Sequence, residues 1–93
     1  MRVQVAKQHI RNGRRNSTVA CPIALAILDL YPNSTLIVVT GEIIAVKIDG
    51  WWSECNHLSD EVKTFISRFD HGVKVKPDTL DIDLKPRQYR CVL

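Results

Sequence analysis

The sequence has no long apolar stretch. Its longest run, Pro22-Ile23-Ala24-Leu25-Ala26-Ile27-Leu28, is far too short to cross a bilayer. The opening Met1-Arg2-Val3-Gln4-Val5 runs directly into Lys7 and His9, which reads as neither a signal peptide nor a membrane anchor. Cysteine is scarce: Cys21, Cys55 and Cys91 are odd in number, widely spaced and form no Cys-x-x-Cys pair. That pattern argues against a disulfide framework and fits reduced thiols in the cytosol. Cys91 is third from the end, whereas prenylation requires the fourth. Internal repeats and low-complexity segments are also missing. These absences lead to the expectation of a soluble cytoplasmic protein.

Acidic residues are missing from the first 28 positions, which carry Arg2, Lys7, Arg11, Arg14 and Arg15, while all ten acids lie between Asp29 and Asp83. The tail adds Lys85, Arg87 and Arg90. Basic ends around an acidic middle suit either a positive face that attracts an anion, whether a nucleotide, a nucleic acid or an acidic protein, or simple solvation. The formal charge of +3, with 45% hydrophobic and 25% charged residues, is that of an ordinary globular domain. Area scaling gives roughly 15,400 Å² for the unfolded chain and roughly 5,500 Å² folded, enough for one modest core. Residues 1–93 are therefore expected to form one domain, with 85–93 as a flexible basic tail. A deep substrate cavity does not fit a core of that size.

Met1 to Val5 alternates as a short strand, and residues 6–12 contain good helix formers, with Gly13 expected as a left-handed helix-ending residue. Residues 14–20 read as a polar loop. Pro22 suits the first turn of a second helix because its missing amide would lack a partner there anyway. Ile23 to Leu28 are apolar on every side, which predicts a central helix without a solvent face. Pro32 and Asn33 end it. The β-branched stretches Leu36–Val39 and Ile43–Ile48, separated by Thr40-Gly41-Glu42, predict a hairpin. Asp49-Gly50 closes the second strand and leaves Trp51 and Trp52 at a loop or strand edge. Ser59 reads as an N-cap, followed by Asp60 and Glu61 at the positive helix end and a stripe of Val62, Phe65, Ile66 and Phe69 ended by Gly72. Leu80-Asp81-Ile82-Asp83-Leu84 alternates perfectly. The expected fold class is α+β: a single small domain, a mostly antiparallel sheet of three to five strands, and two or three helices packed on one face.

Three blocks stand out: His9-Ile10-x-x-Gly13, Cys21-Pro22-Ile23-Ala24-Leu25-Ala26-Ile27, and Phe65-Ile66-x-x-Phe69-Asp70-x-Gly72-x-x-Val75-x-Pro77. Over roughly residues 3 to 84 the chain resembles a family of small, largely uncharacterised phage and prophage proteins. It departs from that pattern at Ala6, where a capping threonine is expected, and in the basic loop of residues 11–20. The resemblance implies a viral accessory protein working in the host cytoplasm by binding, for instance blocking a host defence complex or sequestering a signal nucleotide. It supplies no catalytic residues.

The local chemistry is densest between residues 11 and 23. A helix N-terminus offers free amides and a positive dipole end, and here Arg11, Arg14, Arg15, Asn16, Ser17 and Thr18 precede it as donors suited to phosphate. The P-loop spacing is absent, and the same residues also suit a solvated, capped loop. Cys21 at that helix start would have a lowered thiol pKa if exposed, with His9 or His57 as its base; a cysteine leading into an apolar helix is more often a buried small hydrophobe. Cys55-Asn56-His57 resembles half a zinc site that His71, Cys91 or Cys21 would have to complete. Asp81 and Asp83 share a strand face that suits magnesium or simply water. Of Trp51 and Trp52, adjacent in an extended segment, either one lies inside with the other free to stack on a base or anchor a partner, or both serve as core or edge cover.

The resulting expectation is a non-enzymatic binding protein, a homo-oligomer without cofactor or metal, whose ligand site draws on Arg11 to Thr18, Cys21, Trp51 and Trp52. Its partner is a host protein or a small anionic ligand such as a nucleotide. The alternatives are a nucleic-acid-binding module using the basic N-terminal half and a thiol- or metal-dependent hydrolase.

Overall fold

The computed structural model describes residues 1–90. It contains six strands and three helices in an α+β arrangement. The four-stranded antiparallel sheet has the order β2-β3-β4-β6, from Ser34–Val39, Ile44–Ile48, Trp51–Cys55 and Lys85–Arg90. β1 (Arg2–Val5) and β5 (Asp78–Asp81) pair antiparallel as a separate two-stranded sheet, with Val3 opposite Leu80. The second sheet is not visible locally, because its strands come from opposite ends of the chain. Residues 85–90 pair with β4 as an outer strand, and residues 91–93 of the expected basic tail lie outside the described residues. Among the described residues no helix is long and apolar enough to cross a membrane.

α1 (Lys7–Asn12) begins after Ala6, whose side chain offers no acceptor. The N–H of Ala6 is satisfied from the other direction by His9 Nδ1 at 2.9 Å. This is the reciprocal half of a capping box, with histidine in the usual glutamate place. Gly13 ends the helix at φ −70° and is not left-handed as expected. Its role is close packing: a Cβ there would meet Cδ and Cγ of Pro22 at 2.6 Å.

α2 (Pro22–Leu30) starts at the Cys21-Pro22 signal and packs on both β1 and β2, so it joins the two sheets. Ile23, Ala24, Ala26 and Ile27 are buried with Val3, Val5, Val46 and Leu80 in one core. Full burial of a side chain such as Ile27 stabilises by about 1.5–3 kcal/mol. The helix is not faceless, however: Leu28 and Leu30 are 43% and 49% exposed. Two sheets cover only the side turned toward them, so the last turn presents leucines to solvent.

The β2–β3 hairpin closes as expected, with Thr40 Oγ1 accepting from the amides of Glu42 and Ile43. Asp49 (φ 51°) and Gly50 (φ 80°) form a second two-residue hairpin turn. Trp51 and Trp52 therefore open an inner strand of the sheet and do not lie at its edge. α3 (Asp60–Asp70) is capped by Ser59 Oγ, which accepts from Val62 N, and it buries Val62 and Phe65. Beyond β5, Ile82 continues the ladder by donating to the Met1 carbonyl at 2.8 Å. Leu80 and Ile82 are buried and Asp81 and Asp83 exposed, as their alternation requires.

Candidate functional site

Residues 14–20 form a closed loop over the start of α2. Arg14 donates its amide to the Ala20 carbonyl at 2.8 Å, and Ser17 Oγ accepts from Ala20 N at 3.0 Å. The Thr18 carbonyl accepts from Val39 N at 2.7 Å, which fixes the loop to the outer edge of β2. Asn16, at φ 56°, donates its amide to Asp70 Oδ1 at 2.9 Å. The Arg15 guanidinium lies against Gly72, where the chain leaves α3, and a Cβ at that glycine would stand 3.1 Å from an Arg15 nitrogen. A cation beside the negative end of a helix is favourable. Two of the donors expected to hold an anion thus already serve the fold.

A cleft of about 250 Å³ beside this loop is lined by Asn16, Ser17, Thr18, Cys21, Thr40 and Asp70, among others. Asp70 puts a carboxylate into the cleft, which opposes an incoming phosphate. The same carboxylate anchors the loop through the Asn16 amide. Arg11 and Arg14 remain on the surface.

Cys21 is 6% exposed. Burial raises its thiol pKa above the ordinary value of 9.0 and the charge of Asp70 adds to the rise, while the amides of Ala24 and Ile23 pull the other way. The helix start therefore acts on the thiol in the expected direction but is outweighed by desolvation. His9 is committed as well. Its Nδ1 accepts from Ala6, so Nε2 carries the proton and donates to Asp29 Oδ2 at 2.6 Å. Neither ring nitrogen is left to act as a base. Cys55 is buried and its Sγ donates to the His57 carbonyl at 3.6 Å, while the His57 ring is exposed. Among the described residues no three histidine, cysteine or acidic side chains converge as a metal site. Cys91, the remaining thiol considered for zinc, lies outside the described residues. Asp81 is paired with the Met1 ammonium at 3.5 Å and Asp83 with Lys85 at 3.8 Å.

The tryptophans and the loop occupy opposite ends of the large sheet. The loop joins β2 at Val39, in the cross-strand row Val39–Ile44–Cys55, whereas Trp51 lies in the row Ser34–Ile48–Trp51. Four residues of strand, roughly 13 Å, separate the rows along β4. Trp51 is 47% exposed; Trp52 is partly buried, with Lys47 Nζ 5.8 Å from its ring centroid. The loop and the tryptophans do not form one site.

A further, open groove lies away from every residue that the sequence pattern marked for a ligand. A space of about 760 Å³ separates α3 from the segment leading into β5, with Phe65, Val75 and Pro77 as its apolar part. Asp60, Glu61 and Asp78 line one end, and Arg68 and Lys74 the other, with Lys76 between them. This order follows from topology, because the chain reverses at His71-Gly72 and runs back along α3. Among the described residues none of these six side chains forms an ion pair. Two features of the sequence could have pointed here: the alternating Val73-Lys74-Val75-Lys76 followed by Pro77, and the acid-first order of α3.

No protein-family model, curated protein or solved structure matches this chain.

Proposed function

We propose that this chain is a non-enzymatic binding protein that engages a protein partner, and that the partner is a host protein, as the resemblance to phage accessory proteins implies. One contrast carries the reading: Cys21, His9, Asn16 and Arg15 are spent on the fold, whereas the groove beside α3 has six charges without ion pairs among the described residues. Cys21 is buried, both nitrogens of His9 are bonded, and the Asn16 amide already holds a carboxylate. A nucleotide at the Arg14–Cys21 loop would have to displace Asp70, so sequestration at that loop is the weaker reading.

The test is site-specific photocrosslinking in bacterial cells that support phage growth, with the crosslinker at Thr64 in the groove and, separately, at Ser17 in the loop. The expected result is a discrete protein adduct from Thr64 and none from Ser17. Native mass spectrometry of the same purified protein checks the rival reading. A retained nucleotide that disappears in Arg14→Ala, or adducts to nucleic acid in place of protein, would overturn the proposal.

A further inference from the structure

We infer that the groove between α3 and residues 73–78 receives an extended peptide segment of the partner, added as a strand beside residues 74–78, with a basic side chain near Asp60 and Glu61 and an acidic one near Arg68 and Lys74. This inference rests on the protein-partner reading above and specifies its chemistry.

Three independent features support it. The first is the backbone. β5 pairs with β1 on one side only, and the segment before it belongs to no sheet. Val73 donates its amide to the Arg68 carbonyl at 2.9 Å, but among the described residues the amides of Lys74, Val75 and Lys76 have no partner. Pro77 holds Lys76 in the extended region. Amides alternate sides along an extended chain, so three consecutive unpartnered amides leave a free donor on each edge of the segment. Peptides that add to a sheet edge beside a helix obtain affinity from such main-chain groups and specificity from alternate side-chain positions.

The second feature is charge. Acids gather at the N-terminal end of α3 and bases at its C-terminal end, all unpaired among the described residues. From Glu61 to Arg68 the helix rises roughly 10 Å, and from Lys74 to Asp78 an extended chain advances roughly 13 Å. Two opposite charges four residues apart in an extended peptide span the same length. The third is the apolar middle, where Phe65, Val75 and Pro77 suit an aliphatic side chain between the charges. Antiparallel pairing is the more stable per residue. A peptide running against residues 74–78 then places its basic residue first and its acidic residue four positions later.

The probes are two heptapeptides with blocked ends, Thr-Lys-Thr-Val-Thr-Glu-Thr, which puts valine between the charges on one face, and the same peptide with Lys and Glu exchanged, titrated into the isotope-labelled full chain and followed by amide NMR shifts. The expected outcome is shifts confined to residues 60–68 and 73–78, with the lysine-first peptide binding about fivefold to tenfold more tightly. The double variant Arg68→Glu, Lys74→Glu is expected to lose that preference while its amide spectrum outside the groove remains that of the folded parent. Equal affinity for both orders, shifts elsewhere, or an unaltered preference in the double variant would overturn the inference. So would concentration-dependent shifts of the groove amides without peptide, which would give the groove to a second copy of this chain. If neither peptide binds while Thr64 still crosslinks to a protein, strand addition fails and the partner reading survives.

Discussion

The loop of residues 14–20 and the groove beside α3 lie at opposite extremes of commitment. The loop has two arginines, a helix start and a cysteine; the Arg14 side chain stays at the surface, but the backbone of Arg14, Asn16 and Thr18 and the side chain of Arg15 are turned to Ala20, Asp70, Val39 and the end of α3. The groove is built from an ordinary amphipathic helix and a short lysine-valine segment, and its charges have no ion-pair partner among the described residues. Polar chemistry close to the core is drawn into satisfying buried backbone, because an unpaired buried group costs about 1–3 kcal/mol. The same groups at the rim of an open groove can remain solvated at little cost and are available to a partner. Density of functional-looking residues is therefore a poor guide here to which polar groups the fold leaves uncommitted.

The contrast can be broken most severely at Gly13. Gly13→Ala forces a methyl into the Pro22 ring and is expected to cost about 1–3 kcal/mol, the range of core overpacking. Thermal unfolding measures it, and an unchanged midpoint would mean that α1 and α2 do not meet as closely as described. Asp70→Ala comes next. Removing the acceptor of the Asn16 amide is expected to cost about 0.5–1.5 kcal/mol and to speed hydrogen exchange at Asn16. If the variant also binds phosphate where the parent does not, Asp70 is the group that keeps the loop closed to anions.

A smaller effect comes from Cys21. Its folded thiol has a raised pKa, so its contribution is fully present below the unfolded thiol's value and is lost as pH climbs from there through the folded value. Denaturant unfolding above pH 9 should show this decline, and Cys21→Ala should flatten it. Alkylation of the native protein at Cys21 is expected to be slow for the same reason, since the thiolate is the nucleophile. The smallest effect belongs to the groove: Arg68→Gln and Lys74→Gln should each leave stability within about 0.5 kcal/mol, as surface substitutions do. A larger loss in denaturant titration would show that these side chains serve the fold after all, and would erase the difference between the two regions.

Signals that act between neighbours in the chain are legible in the sequence alone. Cys21-Pro22 starts α2, Ser59 caps α3, and Thr40 to Glu42 turns the first hairpin, because a cap or turn needs only residues a few positions apart. The Asp49-Gly50 turn is equally local, yet reading it only as the end of a strand leaves two tryptophans at an edge when they open an inner strand. The apolar pattern correctly marks Ile23, Ile27, Val62 and Phe65 for the interior, but it overstates α2, whose final leucines project past the sheets.

By itself, then, the sequence determined the helices, the main hairpin, the α+β class and most of the core, since capping, turn chemistry and side-chain periodicity are short-range. Only the tertiary structure decided that Asp70, 54 residues from Asn16, would fill the loop's amide, that the arginine loop and the tryptophans would lie at opposite ends of a sheet, and that α3 would leave an open groove. Those outcomes depend on which surfaces meet when the chain closes, and the free energy of such meetings comes from desolvation and contact between residues that no local pattern connects.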